Sequence, residues 1–213
     1  MKSSTVLALI VLITGSINNA FETVKSKFSK LNVLVNKARA SFDFTVDQDS
    51  SHPGNPRTLF NKSYDVNVSS TEVITTTFPH LLLAAQSPRI VFLTSGMSTL
   101  KGSEETLVPK LIDSIPEGWP KTGIRTSVAS RSSKTALNLV MLAWNHLIKG
   151  DGIKVWCVSP GFLAKGLGGN AEVLGRAGAG DPAARGELIK KVIEGEKDAN
   201  VGKVVGQPGV QAW

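Results

Sequence analysis

The residues able to do chemistry here are few, and most of them follow apolar runs. Ser95-Gly96 comes directly after the run at 89–94, Asn36 after 31–35, Ser159-Pro160-Gly161 after 153–158 and Gly15-Ser16 after 6–14. Ser130 and Lys134 lie four residues apart, one helical turn, at the start of a strongly periodic segment. A buried continuous run of Val, Ile and Leu reads as a strand of a parallel sheet, and ligands in such sheets bind beyond the carboxyl ends of the strands. Hydroxyls, amides and one amine at those ends suit the binding and polarisation of a small organic molecule. Metal chemistry is not indicated, because three histidines without helical pairing and one cysteine provide no ligand set. Cys157, between Trp156 and Val158 in a buried run, reads as inert packing rather than a nucleophile.

The elements that would position these groups alternate in period. Phe21, Val24, Phe28 and Leu31, with lysines between them, predict a short amphipathic helix. A strand follows at 31–35 and a polar loop at 37–57. Residues 58–87 are locally ambiguous. The spacing of Phe60, Tyr64 and Val68 favours helix, whereas the β-branched cluster 71–77 favours strand. After the strand 89–94, an irregular connection is expected over 100–128. Leu137, Met141, Trp144 and Ile148 trace one helix face, which Lys149 and Gly150 would close. A strand at 153–158, a substrate-side loop at 162–185, a helix near 183–194 and a strand at 201–205 complete the series. Alternation of this kind predicts right-handed βαβ units and a parallel sheet covered on both faces.

At 213 residues the chain suits one α/β domain over 1–213. Its net charge of +7 is spread without a Lys/Arg run, which does not argue for nucleic acid. Residues 1–20 carry a second reading as a secretory signal, supported slightly by the sequons at Asn61 and Asn67. The apolar run is too short to span a bilayer, and Gly15, placed where a strand turns into its helix, favours a first buried strand in a cytoplasmic protein. As an edge, that strand would promote association into a homodimer.

The order Thr14-Gly15, Asn36-Lys-Ala38, Asn67, Ser95, Ser130-x-x-x-Lys134 and Pro160-Gly161 resembles the short-chain dehydrogenases/reductases, closest to the fungal secondary-metabolism type. The likeness runs from Leu31 to the terminal Gly-Val-Gln-Ala-Trp213. It implies a Rossmann-like, doubly wound parallel sheet and hydride exchange between NADP or NAD and a carbonyl or alcohol. By resemblance, Ser95 orients the substrate oxygen and Lys134 holds the cofactor ribose and lowers the pKa of a catalytic phenol. Asn67 supports a water relay, and Gly15, Ser16, Asn36, Pro160 and Gly161 border the cofactor.

Four departures qualify this picture. Ser130 stands where the family has its tyrosine, and an aliphatic hydroxyl is a far weaker acid than a phenol. After Gly15 no further glycine follows to admit a pyrophosphate. One helix separates the runs 6–14 and 31–35, so the N-terminal half is shortened by about two strands. Asn36-Lys-Ala-Arg39 replaces a motif ending in glycine, while Lys165 replaces a threonine after Pro160-Gly161. The expected protein is a short-chain dehydrogenase/reductase with impaired redox chemistry. The alternatives are a non-redox isomerase, dehydratase or cyclase on the same scaffold, and a vestigial or mis-spliced chain.

Overall fold

The structure is a computed structural model that describes residues 17–37, 39–43, 55–105, 117–119, 127–161, 180 and 183–213. The expected first strand, Gly15, Ser16, Lys165 and nearly all of the glycine-rich stretch lie outside the described residues.

Helix α1 (Ile17–Phe28) enters as its spacing predicts, with Val24 buried and Lys25 and Lys27 in its last turn, where cations suit the carbonyl end. Phe21 meets Phe78 edge-to-face, with ring centroids 5.6 Å apart. Strand β1 (Val33–Asn36) follows, then α2 (Pro56–Tyr64), a π-turn (Asp65–Ser69), α3 (Ser70–Thr77) and α4 (Pro79–Leu83). Asn55 caps α2, its side chain accepting from the amide of Arg57 beside Pro56. Strand β2 (Arg89–Leu93), the short α5 (Leu100–Glu105) and the long α6 (Val128–Ile148) lead to β3 (Lys154–Ser159). Helix α7 (Ala183–Glu194), β4 (Val204–Gly206) and β5 (Gly209–Val210) close the series.

The sheet runs β1-β2-β3-β4-β5, the first four strands parallel and β5 antiparallel to β4. Because side chains alternate along a strand, the two faces have separate cores. On one, Leu34, Ile90, Phe92, Val155, Cys157 and Val204 pack against α1, α3, α4 and α6. On the other, Val91, Leu93, Trp156, Val158 and Val205 pack against Leu188 and Val192 of α7. This is a Rossmann-like sheet covered on both sides, with α1 the one described helix ahead of β1.

Four local readings are resolved or corrected. The β-branched stretch Thr71–Thr77 is helical, because Thr71, Thr75, Thr76 and Thr77 turn their hydroxyls back to carbonyls four residues earlier while Ile74 is buried. Part of the connection expected to be irregular is helix: α5 begins at Leu100, and α6 begins at Val128, well ahead of its apolar stripe. The left-handed residue after α6 is Gly152, with φ 73°, rather than Gly150, since a 3-10 turn over 149–151 intervenes. Trp119, expected to pack, is 88% exposed. Among the described residues, no helix is long and apolar enough to cross a membrane.

At the amino ends of β2 and β3 the Arg89 guanidinium, 7% exposed, lies over the Trp156 ring and binds both carboxylate oxygens of Asp198. It also donates to the Val192 carbonyl at 3.1 Å. Lys154 reaches the same carboxylate. These bonds hold the Asp198 carboxyl down at about pKa 2.

Candidate active site at the carboxyl edge

The other edge of the sheet carries the groups singled out above. Lys134 rises from the second turn of α6 and is 3% exposed. Its Nζ donates to the carbonyl of Leu93, the last residue of β2, at 2.9 Å. Burial in apolar surroundings disfavours its charged form, and the positive charge of Arg39 disfavours it further. Together they bring Lys134 to about pKa 7 against a small opposing pull from Cys157. The Cys157 thiol, fully buried, is pushed up by the same loss of solvent and is the inert packing group expected.

Ser95, two residues beyond Leu93, caps a 3-10 turn (Gly96–Ser98), its Oγ accepting from the Met97 amide at 3.2 Å. That arrangement leaves the hydroxyl proton free to donate. Behind it sits a polar cluster that sequence reasoning did not anticipate. Thr94 Oγ1 bridges to Asn138 Oδ1 at 2.7 Å and Ser98 Oγ at 3.1 Å. Ser98 Oγ in turn donates to the Ser95 carbonyl at 2.6 Å. Gln211 reaches the same carbonyl from the other end of the sequence at 3.4 Å. The signal for Asn138 was present: Ser130, Lys134 and Asn138 recur every four residues, a polar stripe beside the apolar one.

Asn67, fully buried in the π-turn, commits its whole amide. Its Oδ1 accepts from Ala40 N at 3.0 Å, and its Nδ2 donates to Ala40 O at 2.9 Å and Ser133 Oγ at 3.0 Å. With both amide hydrogens used, its side chain fastens the segment after β1 to α6 and has no hydrogen left for a water relay. Asp43, further along that segment, caps α6 by accepting from the amides of Ala129 and Ser130, each at 3.0 Å. No local pattern pointed to Asp43, because its partners lie 86 and 87 residues away.

Two buried polar atoms at this edge have no hydrogen-bond partner: Ser130 Oγ and Asn36 Oδ1. Asn36 Nδ2 donates to Thr75 at 3.0 Å. Pro160 is buried and Gly161 takes φ 80°, which turns the chain away from β3. Lys134, Ser95, Asn36, Asn67, Ser130 and Pro160-Gly161 therefore all belong to the carboxyl edge, and the cofactor candidates Gly15 and Ser16 lie outside the described residues. An apolar recess of about 190 Å³, lined in part by Leu139, Leu142 and Trp213, opens beside α6 and includes neither Lys134 nor Ser130.

No family model matches the chain. Whole proteins do. The chain is 41% identical over 209 residues to the short-chain dehydrogenase/reductase tropE of Talaromyces stipitatus, covering 97% of this chain and 76% of that protein. It is 36% identical to the short-chain dehydrogenase/reductase eupG of a Phoma species, covering 99% and 78%. Among solved structures, NADPH-bound carbonyl reductase from chicken fatty liver superposes with a TM-score of 0.69 at 20% identity, over 93% of this chain and 73% of that one. The 3-oxoacyl-[acyl-carrier protein] reductase of Brucella melitensis in complex with NAD gives 0.64 at 18%, over 89% and 70%. A resemblance first carried by scattered residues thus extends through the sheet and along nearly all of the sequence: the chain belongs to the short-chain dehydrogenase/reductase family.

Proposed function

We propose that the protein is an oxidoreductase acting on a small carbonyl or alcohol of secondary metabolism with NADPH or NADH, slowed by the loss of its phenolic acid. One observation carries this reading: the Lys134 amine is anchored on Leu93, two residues before the Ser95 hydroxyl, at the edge where a parallel sheet binds ligands. The nicotinamide end of the cofactor fits the groups present. Asn36 Oδ1 is a buried acceptor without a partner and Lys134 supplies a donor, a pairing that would suit the hydroxyls of a cofactor sugar. When bound, the cofactor supplies or takes the hydride.

The chain's own residues do the rest. Ser95 donates a hydrogen bond to the substrate oxygen and orients it, keeping its own proton. Lys134, near its titration midpoint at neutral pH, accepts or releases a proton. Ser130 is too weak an acid to deliver that proton itself, so a water must stand between Lys134 and the substrate. Asn67 positions the segment after β1 and does not touch substrate.

Thermal unfolding with NADPH and NADH tests this reading. A cofactor at about 100 times its Kd adds about 2.7 kcal/mol, a readily seen rise in midpoint. Ser130→Tyr should then raise ketone turnover by about 10² or more, the usual contribution of a positioned general acid. No midpoint shift with either nucleotide excludes the reading. A non-redox isomerase or dehydratase is favoured by one observation, an amine near pKa 7 with Ser130 in place of the family's tyrosine one turn before it, which suits a general base. It requires α-proton exchange of a ketone into D2O without nucleotide, lost in Lys134→Met.

A further inference from the structure

Three elements far apart in sequence meet around the recess of about 190 Å³ beside the serine turn. Helix α6 gives Leu139 and Leu142, the start of α5 gives Leu100, and the segment after β5 gives Trp213. Leu100 and Leu139 are 65% and 68% exposed, and Trp213 is 41% exposed. A single exposed leucine is ordinary, but three large apolar side chains around one hollow form a patch that favours an occupant. The walls are tied in place. The Trp213 carbonyl accepts from Thr99 Oγ1 at 3.1 Å and from the Lys101 amide at 3.0 Å, and the Gln211 amide donates to the Val204 carbonyl at 2.8 Å. A hollow with anchored walls demands little ordering from whatever enters it.

The other lining residues are polar, and each turns its polar atoms to the protein. Ser98 Oγ donates to the Ser95 carbonyl at 2.6 Å and accepts from Asn138 Nδ2 at 3.0 Å. Asn138 Oδ1 accepts from Thr94 Oγ1 at 2.7 Å, and the Thr135 hydroxyl is shared between the Ser98 and Arg131 carbonyls. No charged side chain lines the recess among the described residues. A charged ligand would therefore lose its water and gain no partner. Water is poorly held there too, since it needs about two to four polar partners, and its release favours an apolar occupant.

Size narrows the choice. An engineered apolar cavity of about 150 Å³ takes up a benzene molecule, and this recess is slightly larger. Seven described residues line it, against roughly 20–30 on each side of a stable protein interface, which decides for a small molecule over a second copy. Trp213 favours an aromatic ring over an alkane, because offset and edge-to-face pairs add to the burial.

From this geometry we propose that the recess is a binding site for one uncharged aromatic ring of a small organic molecule, held between Trp213 and the Leu100, Leu139 and Leu142 side chains. Ser98 links it to the serine turn, but its lining includes none of Ser95, Ser130 and Lys134. The proposal thus stands whether or not a nicotinamide binds.

The test uses the whole chain with benzene as the probe and benzoate, the same ring carrying a charge, as its counterpart. Binding is followed through amide and methyl NMR shifts, with sedimentation at rising protein concentration. Benzene should bind with a Kd on the order of 1 mM, its largest shifts falling on Ser98, Leu100, Leu139 and Trp213. Benzoate should bind about tenfold more weakly or worse. Trp213→Ala removes one wall and keeps the carbonyl that anchors the segment, while Leu139→Lys sets a charge on a side chain already in solvent. Each should weaken benzene binding by about fivefold or more with an unchanged circular dichroism spectrum. The proposal is overturned by no benzene shifts at about 10 mM, by shifts centred elsewhere, or by benzoate binding as tightly as benzene. It is equally overturned by unchanged binding in both variants, or by a wild-type dimer that Leu139→Lys dissociates, which would assign the recess to a second copy.

Discussion

The two edges of this sheet treat charge in opposite ways. At the amino edge, Arg89, Asp198, Lys154, the Trp156 ring and the Val192 carbonyl answer one another group for group. At the carboxyl edge, Ser130 Oγ and Asn36 Oδ1 are buried without partners, and Lys134 is pushed towards neutrality beside a second cation. Both edges are made by the same strands, so the contrast does not come from the fold. A charge cluster answered group for group serves stability, in contrast to a buried lysine held beside a second cation, although Asn145 Oδ1 next to Gly202 at the amino edge is also buried without a partner.

That contrast can be broken by measurement, beginning with the largest effect. Asp198→Ala strands the Arg89 charge in a nearly buried setting, and loss of one partner of a buried pair typically costs about 3–5 kcal/mol. Asp198 is about one-third exposed, so solvent reduces this to about 2–3 kcal/mol in urea unfolding. Its depressed carboxyl also fixes the sign with pH: the stability is present above about pH 4 and is lost as pH falls towards 2. A loss below 1 kcal/mol would mean that the amino edge is not the scaffold described.

Lys134→Met should act in the reverse direction. The unfolded lysine binds protons between about pH 7 and 10.5 that the folded one does not, so wild-type stability rises with pH through that window. At pH 6 the methionine variant should be more stable by about 2 kcal/mol, after allowance for the Leu93 carbonyl it leaves unpaired, and the advantage should vanish near pH 10. An equal or lower unfolding free energy at pH 6 would contradict the strain assigned to this edge. The smallest effect belongs to Ser130→Ala. Removing a buried hydroxyl that bonds to nothing should stabilise the protein by up to about 1 kcal/mol. A clear loss of stability would show the hydroxyl to be satisfied after all.

Much of the scaffold was legible because its signals are local. The run at Arg89–Leu93 is buried at every position, and α7 begins and ends where its pattern said it would. The stretch Thr71–Thr77 misled because β-branching describes a side chain's preference for extended backbone and says nothing of its hydroxyl. Here those hydroxyls find helical carbonyls, and burial of Ile74 decides the outcome. At the site, Ser95, Ser130 and Lys134 were readable from their distance to strand ends and from helical spacing. The full commitment of Asn67, the capping by Asp43 and the influence of Arg39 on Lys134 were not. Each depends on residues far apart in sequence that only a closed sheet brings together.

The turn that carries Ser95 has a consequence for how the protein is made. Gln211 bonds to the Ser95 carbonyl, and the carbonyl of Trp213 accepts from Thr99 and Lys101, partners more than a hundred positions apart in each case. These anchors follow every described strand of the sheet in sequence. A chain truncated before Gln211 therefore keeps all the residues of its parallel strands and α6 while the serine turn lacks its last tethers.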